Sequence, residues 1–130
     1  MAAINIVTKL GPKTFKAESA LTGGQIVEAG ADGGVVPAAA DSTKVLGVAL
    51  IDAGPQTEPV PGVLVRQKPE HTAVAYGGME VYLATTAQLV LGDKVGADAA
   101  GKAKKWTAGD VVGVVTDPSP SADRALVRLT

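Results

Sequence analysis

The stretch GADAAGKA, residues 96–103, falls one residue short of a phosphate-binding loop. In such a loop glycines let backbone N–H groups cradle phosphates, a lysine reaches the terminal phosphates, and a Ser or Thr hydroxyl holds Mg²⁺. Ala103 stands where that hydroxyl is needed. The loop must also open a helix whose N-terminal N–H groups face the ligand. The next residues, KKWTAGDVVGVV, read instead as a turn and a strand. The stretch is therefore read as a turn, and no cofactor is expected.

The other reactive residue types do not assemble into a motif. His71 is the only histidine and there is no cysteine, so the usual zinc donor sets and a Cys-His or Ser-His-Asp constellation lack their members. Asp52, Asp117 and Asp123 follow or flank valine-rich runs, where Asp most often makes strand-ending turns. No D-x-[DN]-x-[DN]-G calcium loop occurs. Lys102, Lys104, Lys105 and Trp106 form a small basic cluster with an aromatic, the pairing that could stack on and neutralise a nucleic acid strand. The alternative is lysines in solvent at a hairpin, with Trp106 beside the core or at an interface, where tryptophan is enriched. No catalytic residue, metal ligand or enzyme activity is expected from this inventory.

The elements that would have to position any site are short and valine-rich. AINIV, QIVEA, GVVPA, KVLGVALI, HTAVAY, MEVYL, DVVGVV and RALVRL are each bounded by Gly, Pro, Asp or Ser, the pattern of strands between turns. MEVYL and GVLVRQ alternate with period two, which gives one buried and one wet face. Eight prolines leave little room for helices, and residues 38–44 or 85–88 could hold one turn at most. The core material is small: 22 alanines, 18 valines and 16 glycines against four aromatics, Phe15, Tyr76, Tyr82 and Trp106. Small side chains bury little area each, at about 25 cal/mol per Å². A partner surface is expected to supplement the stability of the single chain.

The chain also repeats itself. Gly24-Gln25-Ile26-Val27 matches Gly92-Asp93-Lys94-Val95 at an offset of 68, and Gly33 matches Gly101 at the same offset. VLGVALID, residues 45–52, is echoed by VVGVVTDP, residues 111–118, with Gly47 and Gly113 offset by 66. Val63-Leu64-Val65-Arg66 resembles Ala125-Leu126-Val127-Arg128 at an offset of 62. A shrinking offset means shorter loops in the second copy, which cost little entropy. The expected fold is all-β, a compact small barrel or sandwich built from two similar β units over about residues 21–67 and 89–130, within one domain spanning 14–130. Glycine inside a strand marks a bulge, a barrel corner or a close backbone approach, and its recurrence at 47 and 113 favours a geometric cause.

Residues 1–13 stand outside the repeat and carry Ile4, Ile6 and Val7. Apolar arms of this kind can add a strand to a neighbour, or form the first strand of their own sheet. Net charge is −1 with no run of like charge, so no nucleic acid partner is expected. No stretch reaches the roughly 18 apolar residues of a membrane helix, and no membrane partner or signal peptide is read.

The order L-T-x-G-Q-x-V at residues 21–27, the D-G turn at 32–33, V-V-P-A at 35–38, K-V-L-G-V-A-L-x-D-A at 44–53 and V-x-V-R at 63–66 resembles the small capsid decoration (cement) proteins of tailed bacteriophages, particularly the alanine-rich ones of actinobacterial phages. The likeness spans about residues 15–130. It implies a compact β protein that binds the outside of an assembled head and stabilises it. The implied partners are the phage major capsid protein and further copies of this chain, commonly as a homotrimer. Assembly would start in the host cytoplasm and end on the virion exterior. Candidate interface residues are Ile4, Ile6, Val7, Arg66, Trp106 and Arg128, with the proline-rich loops at 55–61 and 118–120 as alternative attachment points. A tail or head-fibre subunit is the other structural reading. A sugar-binding module would want more exposed rings, and a small enzyme would want His, Cys or clustered acids.

Overall fold

In a computed structural model of the chain, the residues described are 3, 11–56, 62, 69–118 and 123–130. Among them ten strands form: β1 (Lys13–Lys16), β2 (Ile26–Ala29), β3 (Val35–Pro37), β4 (Val45–Ala49), β5 (His71–Ala75), β6 (Glu80–Ala84), β7 (Lys94–Ala97), β8 (Ala103–Lys105), β9 (Gly113–Pro118) and β10 (Arg124–Leu129). The only helical piece among the described residues is a 3-10 turn at Ala99–Gly101. The fold is all-β, as the short valine runs require. Neither residues 38–44 nor 85–88 are helical.

Two five-stranded sheets result, ordered β1-β5-β4-β2-β3 and β6-β10-β9-β7-β8. Adding five to each label of the first order gives the second. All named pairings are antiparallel. Within each sheet an isolated parallel bridge joins the chain just past the first strand to the third. Ala17 bridges Val35 in one sheet, and Thr85 bridges Ala103 in the other. The Glu18 N–H donates to Val35 O at 3.0 Å and the Thr86 N–H to Ala103 O at 3.0 Å. The two edges of each sheet thereby meet, which covers edges that would otherwise offer unpaired backbone groups.

The sequence echoes fall on matched places. Val27 pairs Gly47 between β2 and β4, and Val95 pairs Gly113 between β7 and β9. The Gly24 N–H donates to Ala49 O at 2.8 Å, and the Gly92 N–H to Val115 O at 2.9 Å. Turn caps repeat too: the Thr22 N–H donates to Gln25 Oε1, and the Val90 N–H to Asp93 Oδ2. The matched strands run from β1, which begins at Lys13, and the place that β10 holds in its sheet belongs in the first sheet to β5, His71–Ala75. Residues 63–66, the sequence counterpart of 125–128, lie outside the described residues, as do Ile4, Ile6 and Val7.

The halves differ in what they bury. One cluster, with Ala17, Leu21, Val27, Val35, Ala49, Ala53 and Val74, is confined to the first half. The other joins Ile26, Ala38, Val48 and Ala75 of the first half to Leu83, Val95, Val115, Val127 and their neighbours in the second. Side chains alternate across a strand, so Val27 and Ala49 face one side of the first sheet while Ile26 and Val48 face the other. At Ile26–Val27 of β2 and Val48–Ala49 of β4 the first sheet is buried on both faces. Directional polar contacts fix the seam: the Ala84 N–H donates to Gly24 O at 3.1 Å, the Gly101 N–H to Ala38 O at 2.9 Å, and the Val45 N–H to Asp110 Oδ2 at 3.1 Å. One buried carboxylate, Glu28, accepts from the Ser42 hydroxyl at 2.5 Å, which satisfies an otherwise costly group.

Candidate functional site

GADAAGKA is the β7–β8 hairpin. Gly96 and Ala97 end β7, Asp98 caps the 3-10 turn by accepting the Ala99 N–H at 2.8 Å, and Ala103 opens β8. A strand stands where a phosphate loop needs a helix. The basic cluster beside it does not converge. Lys104 and Lys105 alternate along β8, and Lys104 pairs with Asp41 of the first half at 2.9 Å.

His71 is exposed at the start of β5. Asp52 accepts the Gly23 N–H at 2.9 Å, which ties together two segments 29 residues apart rather than closing a local turn. Asp98 is held below its ordinary value of 3.8, first by the Ala99 N–H and then by the Thr86 hydroxyl; burial opposes them, and the Lys104 charge adds the least. Among the described residues no group of three or more His, Cys, Asp or Glu is placed to hold a metal. A cleft of ≈ 190 Å³ opens where Val45 and Leu46 of β4 approach Tyr76, Asp110 and Thr130. Its one carboxylate, Asp110, is already engaged by the Val45 backbone across the seam.

The arrangement that does gather functional side chains is the outer face of the second sheet. Residues directly opposite in adjacent strands point to the same side. Lys94 of β7 lies opposite Val114 of β9, Val114 opposite Arg128 of β10, and Arg128 opposite Glu80 of β6. Two residues along, Leu126 lies opposite Tyr82, and Arg124 opposite Ala84. Trp106 completes the row: its backbone N–H donates to Lys94 O at 2.8 Å, and its indole N–H to Gly109 O at 3.0 Å. Gly96 makes room for it, because a Cβ there would lie 3.1 Å from indole Cδ1.

Both rings on this face carry a cation. The Lys94 ammonium sits 5.8 Å from the Trp106 ring centre, and the Arg124 guanidinium 4.8 Å from that of Tyr82. Tyr82 remains 51% exposed and Trp106 36%. Of the six interface candidates, the structure thus brings Trp106 and Arg128 onto one face, and Ile4, Ile6, Val7 and Arg66 lie outside the described residues. Lys94, Tyr82 and Arg124 were not among the candidates. The alternation in MEVYL and RALVRL places Glu80 with Tyr82, and Arg124 with Arg128, on one side of each strand. Only the pairing of β6 with β10 unites them.

No family model matches the chain, and no curated protein matches it. Among solved structures the fold is similar to that of the head fiber gp8.5 N base in bacteriophage phi29, with a TM-score of 0.64 and 15% sequence identity. The likeness covers 94% of this chain and 95% of that one. At this identity the two share a fold, and the match extends over both β units.

Proposed function

We propose that the chain is a structural protein of a tailed-bacteriophage virion, carried on the outside of the head as the base of a fibre or as a decoration protein that reinforces the shell. The observation that carries this reading is the end-to-end fold likeness to a head-fibre base, 94% of one chain against 95% of the other. Residues 21–66 independently resemble decoration proteins. Both kinds of protein need a rigid β body and an attachment surface, and neither needs a catalytic group. We further propose that the chain acts without catalysis, binds the major capsid protein, and assembles as a homotrimer, with residues 1–13 fastening it to a neighbour through an added strand. Many copies of a modest contact on one shell give strong total attachment.

The test is to mix the protein with heads stripped of surface proteins and sediment them. Co-sedimentation is the expected result, and its absence overturns the reading. A raised temperature of DNA release from the loaded heads selects the reinforcing role. Binding with no such rise selects the fibre base. Removing residues 2–10 separates the arm from the body: a folded, non-binding product supports the arm as anchor, and undiminished binding removes it from that role.

A further inference from the structure

The first sheet buries the row Ile26–Val48–Ala75 against the second half of the chain, whereas the matching row of the second sheet, Lys94–Val114–Arg128, lies at the surface. Trp106 likewise replaces Ala38, which is buried at the seam. One place on the repeated unit is thus an interface in the first copy and an exposed, cationic and aromatic face in the second.

We infer that the outer face of the second sheet, centred on Lys94, Arg128, Tyr82 and Trp106, docks onto an acidic surface of a partner protein. The face presents three cations, Lys94, Arg124 and Arg128, against two carboxylates, Glu80 and Asp117, in its paired rows. Asp93, Asp98 and Asp110 of the same half accept backbone N–H groups in turns and at the seam. The rings are anchored in advance, Trp106 by its bond to Gly109 and both by their cations. Pre-ordered Trp, Tyr and Arg side chains supply most of the energy of protein interfaces.

The chemistry disfavours two other occupants. Continuing the internal contact with a second copy would bury Lys94 and Arg128, whose charge a covering surface has to match with acids. Residues 1–13 contain no Asp or Glu, so the arm of another copy does not supply them. A nucleic acid strand stacks its bases on open ring faces along a cationic groove, and here each ring already carries its cation. Within the proposed function, on which only the partner's identity rests, the acidic surface belongs to the head shell.

Two measurements on the full chain decide this. In the first, the ¹⁵N-labelled protein is titrated with polyglutamate and, separately, with duplex DNA. Trp106 is the only tryptophan, so its indole N–H gives one assignable signal. The expected result is a shift of that signal and of β6, β7, β9 and β10 amides with polyglutamate, weakened at least tenfold in Lys94→Glu and Arg128→Gln. No shift on this face, or tighter binding of DNA at the same signals, overturns the inference. In the second, the same variants, checked for native circular dichroism, are sedimented with stripped heads. At least a tenfold loss relative to the unaltered chain supports docking through this face. Equal binding by variants and unaltered chain overturns the inference and leaves the proposed function standing. Failure of the unaltered chain to bind heads removes the proposed function, and the polyglutamate titration then decides the chemistry of the face alone.

Discussion

Gly47 and Gly113 hold the same place in the two sheets and are glycine for the same reason. A Cβ on Gly47 would overlap the carbonyl oxygen of Ala75 in β5, and a Cβ on Gly113 would overlap that of Arg128 in β10. Each faces a valine of matched position across the sheet, Val27 or Val95. The close approach of a neighbouring strand's backbone explains why the V-x-G-V phrase is written twice.

Alanine at either position has to push that strand away. Gly47→Ala also places a side chain at φ +155°. The expected losses of unfolding free energy are about 3 kcal/mol at Gly47 and about 2 kcal/mol at Gly113. Urea denaturation measures both, and a loss below about 0.5 kcal/mol at either, the range of a surface change, contradicts the proposed cause.

Gly33 and Gly101 share a left-handed backbone, with φ of +83° and +73°, but not a setting. A Cβ on Gly33 meets nothing within 4 Å, whereas one on Gly101 lies 2.6 Å from Ile26 O across the seam. Gly33→Ala is expected to cost about 1 kcal/mol, the strain of that conformation alone. Gly101→Ala adds overpacking and is expected to cost about 3 kcal/mol. Equal costs in thermal unfolding would mean that the contact between the halves yields readily at Gly101.

Ile26 and Lys94 are equivalent in position and opposite in environment. Ile26→Ala opens a cavity in the core shared by the halves and is expected to cost about 3 kcal/mol. Lys94→Ala is expected to change stability by less than about 0.5 kcal/mol, as for a surface change. A large loss at Lys94 would show that its stack on Trp106 supports the fold rather than a partner contact.

Asp98 gives the acid limb of stability a predictable sign. Its folded-state value lies below 3.8, so the folded protein takes up that proton less readily than the unfolded chain does. The resulting stabilisation is complete above 3.8 and is lost as pH falls through the lower folded value. Asp98→Asn should therefore narrow the difference in melting temperature between neutral pH and the acid range below 3.8. An unchanged difference would rule out Asp98 as a contributor. NMR titration of its carboxyl checks the direction independently.

Much of the fold was legible because strands, turns and close approaches leave local marks. Valine runs bounded by Gly and Pro gave β structure, and the repeated glycines at 24 and 92 and at 33 and 101 mark left-handed turns, a local demand, while those at 47 and 113 mark the close approach of a strand whose identity the repeat does not tell. Strand partners were not legible in the same way. The sequence likeness of residues 63–66 to 125–128 says nothing of register, and it is His71–Ala75 that takes the β10 place in the first sheet.

The candidate face was decided by tertiary structure alone. Trp106 and Arg128 are 22 positions apart, and nothing local tells that β7 and β9 set Lys94 and Val114 between them. The same limit applies to the two sheets' unequal burial. Ile26 and Lys94 occupy equivalent places on similar strands, and their side-chain types alone hint that one is covered and the other is not. Hydrophobic alternation specifies which residues share a side of one strand. Which strands lie together, and which sheet covers which, depends on long-range backbone pairing and the burial of area between the halves. Those terms exist only once the chain has closed on itself.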